Sequence, residues 1–117
     1  MHELSIVKQL MAVAEAELDR LDEDVKVTSL RIAVGRLSGA SPEAMKFAFE
    51  VLSPESRLTG CRLDIVEPKA LCTCADCGNE EEVDDYVSLC PRCQSASITV
   101  TGGHELRLES MEVDDGS

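Results

Sequence analysis

Four cysteines in two C-x2-C pairs constrain the fold of this chain more than any other sequence feature. Cys74 and Cys77 form the first pair and Cys90 and Cys93 the second, with twelve residues between the pairs. Two residues between paired cysteines let one tight turn direct both sulfurs inward, and a tetrahedral zinc site needs four sulfurs about 2.3 Å from the ion. The spacing predicts one zinc ion held by two turns, and Gly78 suits the left-handed backbone that such a turn often needs.

Other uses of the same cysteines stay open at the level of the sequence. Two disulfides or free buried thiols are alternatives, and the Cys-Pro-x-Cys form of the second pair also occurs in rubredoxin-type iron sites. Few aromatic residues lie near the pairs, which weighs against an iron electron carrier. Cys72 competes with Cys74 for the first turn, and the two-residue gap favours Cys74. Cys61 lies in a strand pattern and is interpreted as a small buried hydrophobe.

The size and composition of the chain limit its hydrophobic core. The 117 residues include two Phe, one Tyr and no Trp, so we expect an aliphatic core of modest size. A cysteine segment of about thirty residues buries too little apolar surface to fold alone, so we expect bound metal to stabilise it.

The charge of the chain and the motifs it lacks argue against several classes of partner, location and activity. A formal charge of −12 disfavours nucleic acid, because phosphate contacts need clustered Lys and Arg. The sequence has no basic signal segment and no apolar run of about twenty residues, so we expect a cytoplasmic protein without a membrane span. The sequence also shows no motif in which a nucleophile is paired with a general base, and no Gly-rich phosphate-binding loop. We therefore do not expect an enzyme.

Two amphipathic helices are predicted. The first covers residues 4 to about 21 and carries an apolar stripe at three- and four-residue steps. This stripe comprises Leu4, Val7, Met11, Ala14, Leu18 and Leu21. The second helix runs to about Leu52, with Ser41 as N-cap, Pro42 in the first turn and Glu43 favoured by the helix dipole. It is expected to bury a selection of Met45, Phe47, Ala48, Phe49, Val51 and Leu52.

Strands are predicted on either side of the second helix and after the cysteines. Residues 25 to 34 form the first, with a bulge near Ser29 or burial on both faces. Residues 61 to 67 form the second, and 104 to 113 the third. Short ribbon strands are predicted at 83 to 89 and 98 to 100, and the acidic runs at 22 to 24, 80 to 82 and 84 to 85 are interpreted as solvated loops.

The last strand determines the predicted domain organisation. Leu106, Leu108, Met111 and Val113 need a surface to pack on, and the ribbon is too small to supply it. The strand therefore returns to the sheet of the first domain. We predict an α+β fold with two helices on a three-stranded sheet, formed by residues 1 to 70 and 101 to 117. An inserted four-cysteine zinc-ribbon domain covers residues 71 to 100.

The first three residues, Met1-His2-Glu3, can chelate a metal with nitrogen atoms. The terminal amine, the His2 amide nitrogen and His2 Nδ1 close two fused chelate rings in one plane, an arrangement that nickel and copper favour over zinc. The fourth position stays open for the Glu3 amide or another ligand, and His104 beside the Gly102-Gly103 hinge is a candidate. The alternatives are a solvated histidine at a frayed terminus and a solvated hinge histidine.

These residues together resemble the HypA/HybF family of nickel metallochaperones for hydrogenase maturation. The resemblance rests on Met1-His2-Glu3-Leu4-Ser5, the Gly35 turn after a strand, Gly60-Cys61-Arg62-Leu63 and the paired cysteines, and it covers essentially the whole chain. It implies that the N-terminal amine, His2 and neighbouring backbone amides bind nickel as cargo. It also implies that the four paired cysteines hold one structural zinc ion.

The resemblance further implies partners. Members of the family hand nickel to the [NiFe]-hydrogenase large-subunit precursor together with a HypB-type GTPase, and some also serve urease. For this chain we expect a cytoplasmic nickel chaperone that is a monomer or weak dimer. We expect Met1 to remain on the mature chain, because removal of the initiator favours a small second residue and His2 is bulky.

Overall fold

The computed structural model describes residues 3 to 21 and 25 to 114. The two predicted nickel ligands Met1 and His2 and the predicted loop at 22 to 24 lie outside these described residues. The elements in chain order are α1 (Glu3–Asp19), β1 (Lys26–Val34), α2 (Pro42–Leu52), a short 3₁₀ turn (Ser53–Glu55), β2 (Arg62–Val66), β3 (Ala70–Cys74), β4 (Glu80–Val83), β5 (Ile98–Thr101) and β6 (Leu106–Asp114). None of the described helices is long and apolar enough to cross a membrane.

The chain divides into two compact units. The first contains the residues up to Ala33, Ala40–Val66 and the residues from Leu106 onward; the second contains Val34–Gly39 and Glu67–Glu105. The first unit holds both helices and the sheet β2-β1-β6, whereas the second holds the sheet β4-β3-β5. This is the predicted α+β fold of two helices, a three-stranded sheet and a cysteine-bearing segment.

Strand β1 is central in the sheet of the first unit and is buried on both faces. It pairs with β2 in parallel without interruption from Ser29 to Ala33. Leu30 and Ile32 on one face are buried, and so are Ser29 and Ala33 on the other. Apolar residues occur at both odd and even positions of β1 because both faces of the strand are buried. No bulge interrupts its pairing with β2.

Helix α1 is shorter than predicted and turns a different stripe inward. It ends at Asp19 rather than near residue 21. Leu4 and Leu21 are exposed, with 43% and 46% of their surfaces accessible, and Ile6 and Leu10 are buried with the middle of the predicted stripe. The helix packs against α2 and β6.

Helix α2 begins as the sequence predicts. The Ser41 hydroxyl accepts a hydrogen bond from the Ala44 amide at 3.2 Å, and Pro42 lies in the first turn. The Ser41 amide donates to Glu3 Oε2 at 3.0 Å, which joins the N-cap of α2 to the first residue of α1. Met45, Ala48 and Phe49 are buried.

The second unit corrects two strand predictions. No strand was predicted at Ala70–Cys74, but these residues form β3, the central strand, which pairs antiparallel with both β4 and β5. The predicted strand at 83 to 89 is wrong, because β4 comprises Glu80–Val83. Acidic side chains are tolerated there because β4 is an edge strand and its three glutamates face solvent.

Two predicted strands of the first unit have different limits from those observed. The predicted strand at 61 to 67 forms as Arg62–Val66, and Cys61 precedes it and is half-buried, so its interpretation as a buried strand residue is wrong. The last strand begins at Leu106 and leaves His104 outside it. Val113 is 43% exposed, which differs from its expected burial.

Backbone contacts join the β1–α2 loop to the two ends of the cysteine segment. Within the second unit the amide of Gly35 donates to Glu105 O at 2.7 Å, Arg36 to Pro68 O at 2.9 Å and Leu37 to Gly103 O at 2.6 Å. A Cβ atom on Gly35 would lie 2.2 Å from Gly103 O. The chain can approach itself this closely only because residue 35 is glycine.

Replacement of this glycine tests the close approach. Gly35→Ala forces backbone to move, so we expect the free energy of unfolding of the zinc-loaded protein to fall by about 3 kcal/mol or more. Gly39→Ala is the matched control, since its φ is +81° but its Cβ would meet nothing within 4 Å. The control should cost only about 1–2 kcal/mol. Urea unfolding measures both, and equal losses would contradict the proposed steric role of residue 35.

Candidate metal centre

The first cysteine turn follows directly from the central strand of the second unit. Cys74 is the last residue of β3, and Cys77 lies in the turn that follows. The amide of Cys77 points at Cys74 Sγ at 3.5 Å, and the amide of Gly78 donates to Cys74 O at 3.0 Å. Gly78 has φ +75°, the left-handed conformation predicted for it. The turn therefore brings both sulfurs to one side.

The second turn repeats the same geometry with a different residue. The amides of Arg92 and Cys93 each lie 3.4 Å from Cys90 Sγ, and the amide of Gln94 donates to Cys90 O at 2.9 Å. Gln94 has φ +63°, the position that Gly78 occupies in the first turn. Sequence reasoning missed Gln94 because its side chain carries no signal for a left-handed backbone.

The two turns bring four sulfurs into one cluster. Cys74 Sγ lies 3.6 Å from Cys93 Sγ, and Cys77 Sγ lies 3.7 Å from Cys90 Sγ. All four sulfurs lie within 4.8 Å of one another. Four sulfurs bound about 2.3 Å from one ion at tetrahedral angles are about 3.8 Å apart. The separations fit a metal tetrahedron, whereas a disulfide needs sulfurs about 2.05 Å apart.

Amide groups favour the thiolate at the first cysteine of each turn. The Cys77 amide lowers the pKa of Cys74 below its ordinary value, and the Cys93 amide lowers the pKa of Cys90 to about 6. The Ser95 amide lowers the pKa of Cys93, but burial and the neighbouring thiols outweigh it and raise that pKa to about 12. Four thiolates this close together repel one another, and a bound divalent metal would supply the opposing charge.

The cluster is open to solvent on one side. Cys74 and Cys90 are buried, whereas Cys77 and Cys93 are exposed. The Ser95 hydroxyl donates to the Asp76 carboxylate, which joins the outer parts of the two turns. Cys72 is 1% exposed and packs with Leu37, Ala70 and Val83. It belongs to the core of the second unit and lies outside the four-sulfur cluster.

His104 lies in the hinge that leaves the second sheet. Its Nδ1 is 3.2 Å from Gly102 O and its Nε2 is 3.3 Å from the Tyr86 hydroxyl. The Tyr86 hydroxyl also lies 3.1 Å from Leu37 O, to which it can donate. Since a carbonyl only accepts, the bond to Gly102 O requires a proton on Nδ1. Tyr86 was not identified as a site residue from the sequence.

Glu3 is the one predicted N-terminal ligand among the described residues. It begins α1, and its carboxylate holds the Ser41 amide. Helix α1 therefore begins immediately after His2 in the chain. Its first residue also accepts a hydrogen bond from the N-cap residue of α2. The predicted nickel ligands Met1, His2, Glu3 and His104 stay a prediction as a set.

Comparisons with known proteins agree over the length of the chain. The family model described as "Hydrogenase/urease nickel incorporation, metallochaperone, hypA" matches residues 1–113. The hydrogenase maturation factor HypA of Syntrophus aciditrophicus is 39% identical over 115 residues, which are 97% of this chain and 100% of that protein. The HypA of Rhodobacter capsulatus is 35% identical over 113 residues, which are 97% of this chain and 99% of that protein.

Solved structures give the same result. The solution structure of the Ni metallochaperone HypA from Helicobacter pylori has a TM-score of 0.63 and 30% sequence identity, over 96% of this chain and 97% of that one. A second solution structure of a HypA protein has a TM-score of 0.69 and 29% identity, over 98% of each chain. This family consists of metallochaperones and maturation factors rather than enzymes, in agreement with the prediction that the chain is not an enzyme. The four-sulfur cluster and the full-length matches place this chain in the HypA family of nickel metallochaperones for hydrogenase and urease.

Proposed function

We propose that this protein binds Ni²⁺ at its N-terminus and delivers it to the large-subunit precursor of a [NiFe]-hydrogenase. The observation that carries the proposal is the family match over residues 1–113, in a chain that begins Met-His-Glu. Hydrogenase maturation by the family implies a hydrogenase as partner. The nickel is cargo, so its site must bind the ion and also release it.

The proposed nickel ligands are nitrogen atoms of the first three residues. The terminal amine of Met1, the amide nitrogen of His2 and its Nδ1 supply three, and the Glu3 amide supplies a fourth. A planar set of nitrogens suits Ni²⁺ and disfavours Zn²⁺, which prefers a tetrahedron. The bond between Glu3 and Ser41 supports the proposal because it holds the residue that follows His2 on a rigid element.

The proposed resident metal is one zinc ion at Cys74, Cys77, Cys90 and Cys93. The sulfur separations and the two cysteine turns suit a tetrahedral site with four protein ligands and no open coordination position. In such a site zinc contributes folding energy and has no catalytic role. Two kinds of site thus separate two metals by chemistry. Thiolates retain zinc, while nitrogens of the terminus hold nickel loosely enough for transfer.

The proposed partners are the hydrogenase precursor and a HypB-type GTPase. Both are proteins, in keeping with a chain of charge −12 that has few cationic groups for nucleic acid. We propose that the chain works in the cytoplasm, where its thiols stay reduced. A monomer or weak dimer stays a prediction, as does nickel binding by His104.

Replacement of His2 tests the nickel site. His2→Ala removes the imidazole ligand, so we expect it to abolish stoichiometric nickel binding while zinc content stays unchanged. His104→Ala changes the only other histidine and tests separately whether this second candidate ligand contributes to nickel binding. Isothermal titration of untagged protein with Ni²⁺, beside metal analysis, measures both quantities. Equal nickel affinity in the wild type and His2→Ala would refute the N-terminal site.

Replacement of Cys90 tests the zinc site. Cys90→Ser leaves three thiolates, so we expect loss of stoichiometric zinc and of the chemical-shift dispersion of residues 70 to 101 in an NMR spectrum. Cys61→Ser is the control, because Cys61 lies outside the cluster and should leave zinc content unchanged. Full zinc occupancy in Cys90→Ser would show that the metal is held elsewhere.

A further inference from the structure

An apolar groove lies between the start of α1 and the outer side of α2, within the first unit. It has a volume of about 390 Å³ and is lined by Glu3, Leu4, Ala44, Phe47, Ala48 and Val51. Phe47 is 66% exposed and Val51 58%, although both were expected to be candidates for burial. One of the two phenylalanines of the chain is therefore left in solvent at this groove.

The groove continues along one side of α2. Phe47 and Val51 are four residues apart, so they lie one above the other on the helix surface. Met45 and Phe49, on the other side, are already buried in the unit. Helix α2 thus has an inner apolar side that is covered by the core and an outer one that is not. A contiguous outer apolar surface of this kind marks a contact with another molecule.

The charges around the groove identify the chemistry of that molecule. Glu43 precedes Phe47 by four residues and Glu50 follows it by three, so both exposed residues neighbour Phe47 on the helix surface, where Lys46 is the one basic residue of α2. Glu3 lines the end of the groove. A second copy of this chain would bring the same carboxylates and a further charge of −12 to the contact. The complementary partner instead presents an apolar side chain flanked by Lys or Arg.

We propose that the nickel-receiving hydrogenase large-subunit precursor docks in this groove through such a segment. The inference rests on the proposed function, since transfer of an ion between two proteins requires contact beside its ligands. Glu3 is both a proposed nickel ligand, through its amide, and part of the groove wall. A receiver seated on Leu4, Phe47 and Val51 therefore meets the chain next to the residue that follows His2.

Serine substitutions test the groove. Val51→Ser and Phe47→Ser remove exposed apolar groups and should weaken binding of the purified precursor to the nickel- and zinc-loaded full chain at least tenfold. Val13→Ser is the matched control, because Val13 is also a valine in a helix, is 50% exposed and does not line the groove. It should change the dissociation constant less than twofold. Biolayer interferometry measures all four proteins.

Neutralising the flanking acids tests the charge of the partner. The double variant Glu43→Gln with Glu50→Gln should slow association with the precursor and reduce the dependence of the association rate on salt. Lys46 lies between these acids in the sequence, so Lys46→Gln is the control and should not slow association. An unchanged salt dependence in the double glutamine variant would overturn the basic character assigned to the partner.

Nickel titration separates this inference from the function on which it rests. Each groove variant should bind nickel as the wild type does, because none removes a proposed nickel ligand. Nickel binding intact with precursor affinity unchanged in Val51→Ser and Phe47→Ser would overturn the docking site alone. Weakened binding of only the GTPase, or equal weakening by Val13→Ser, would also overturn it. Loss of the nickel site itself is reported by His2→Ala and not by these variants.

Discussion

The second unit depends on the approach of four cysteine sulfurs, which all lie within 4.8 Å of one another. Their separations of 3.6 and 3.7 Å match a metal tetrahedron. The Ser95 amide lowers the pKa of Cys93, but burial and hydrogen bonds with the neighbouring thiols outweigh it and raise that pKa to about 12, which favours its protonated form when no cation is bound. The core of this unit is small, with four buried residues and three partly buried ones packed against them, so we expect burial alone to be too weak to hold the two turns together. We therefore expect metal binding to contribute directly to the folding free energy of this unit.

Backbone hydrogen bonds from the β1–α2 loop are the second feature that holds the second unit together. The β1–α2 loop donates hydrogen bonds to Pro68 on the entry side of the cysteine segment and to Gly103 and Glu105 on its exit side. Gly35 permits this approach, and Tyr86 adds a side-chain contact to Leu37. The segment that carries the metal is thus closed at both ends by a loop distant from it in sequence. Long-range closure of this kind leaves no periodic signal.

Features with a local physical cause could be predicted from the sequence, and features set by tertiary pairing could not. Cysteine spacing predicted the two turns of the four-sulfur cluster, and Ser41-Pro42 predicted the start of α2, since each of these turns is set by a few adjacent residues. Strand β3 was missed because its pairing partners are distant in sequence, with β4 between the two cysteine pairs and β5 after the second pair. The acidic strand β4 was interpreted as a loop because its edge position is invisible in sequence. Amphipathic spacing alone could not tell which apolar side of α2 stays exposed, at Phe47 and Val51.

The division of the two metals between sulfur and nitrogen ligands is the central claim for this protein. X-ray absorption at the nickel edge tests it most directly, on untagged, zinc-loaded protein with one equivalent of Ni²⁺. The account predicts a first shell of nitrogen and oxygen without sulfur, while the zinc edge reports four sulfurs. Nickel–sulfur scattering in this sample, with zinc displaced, would contradict it.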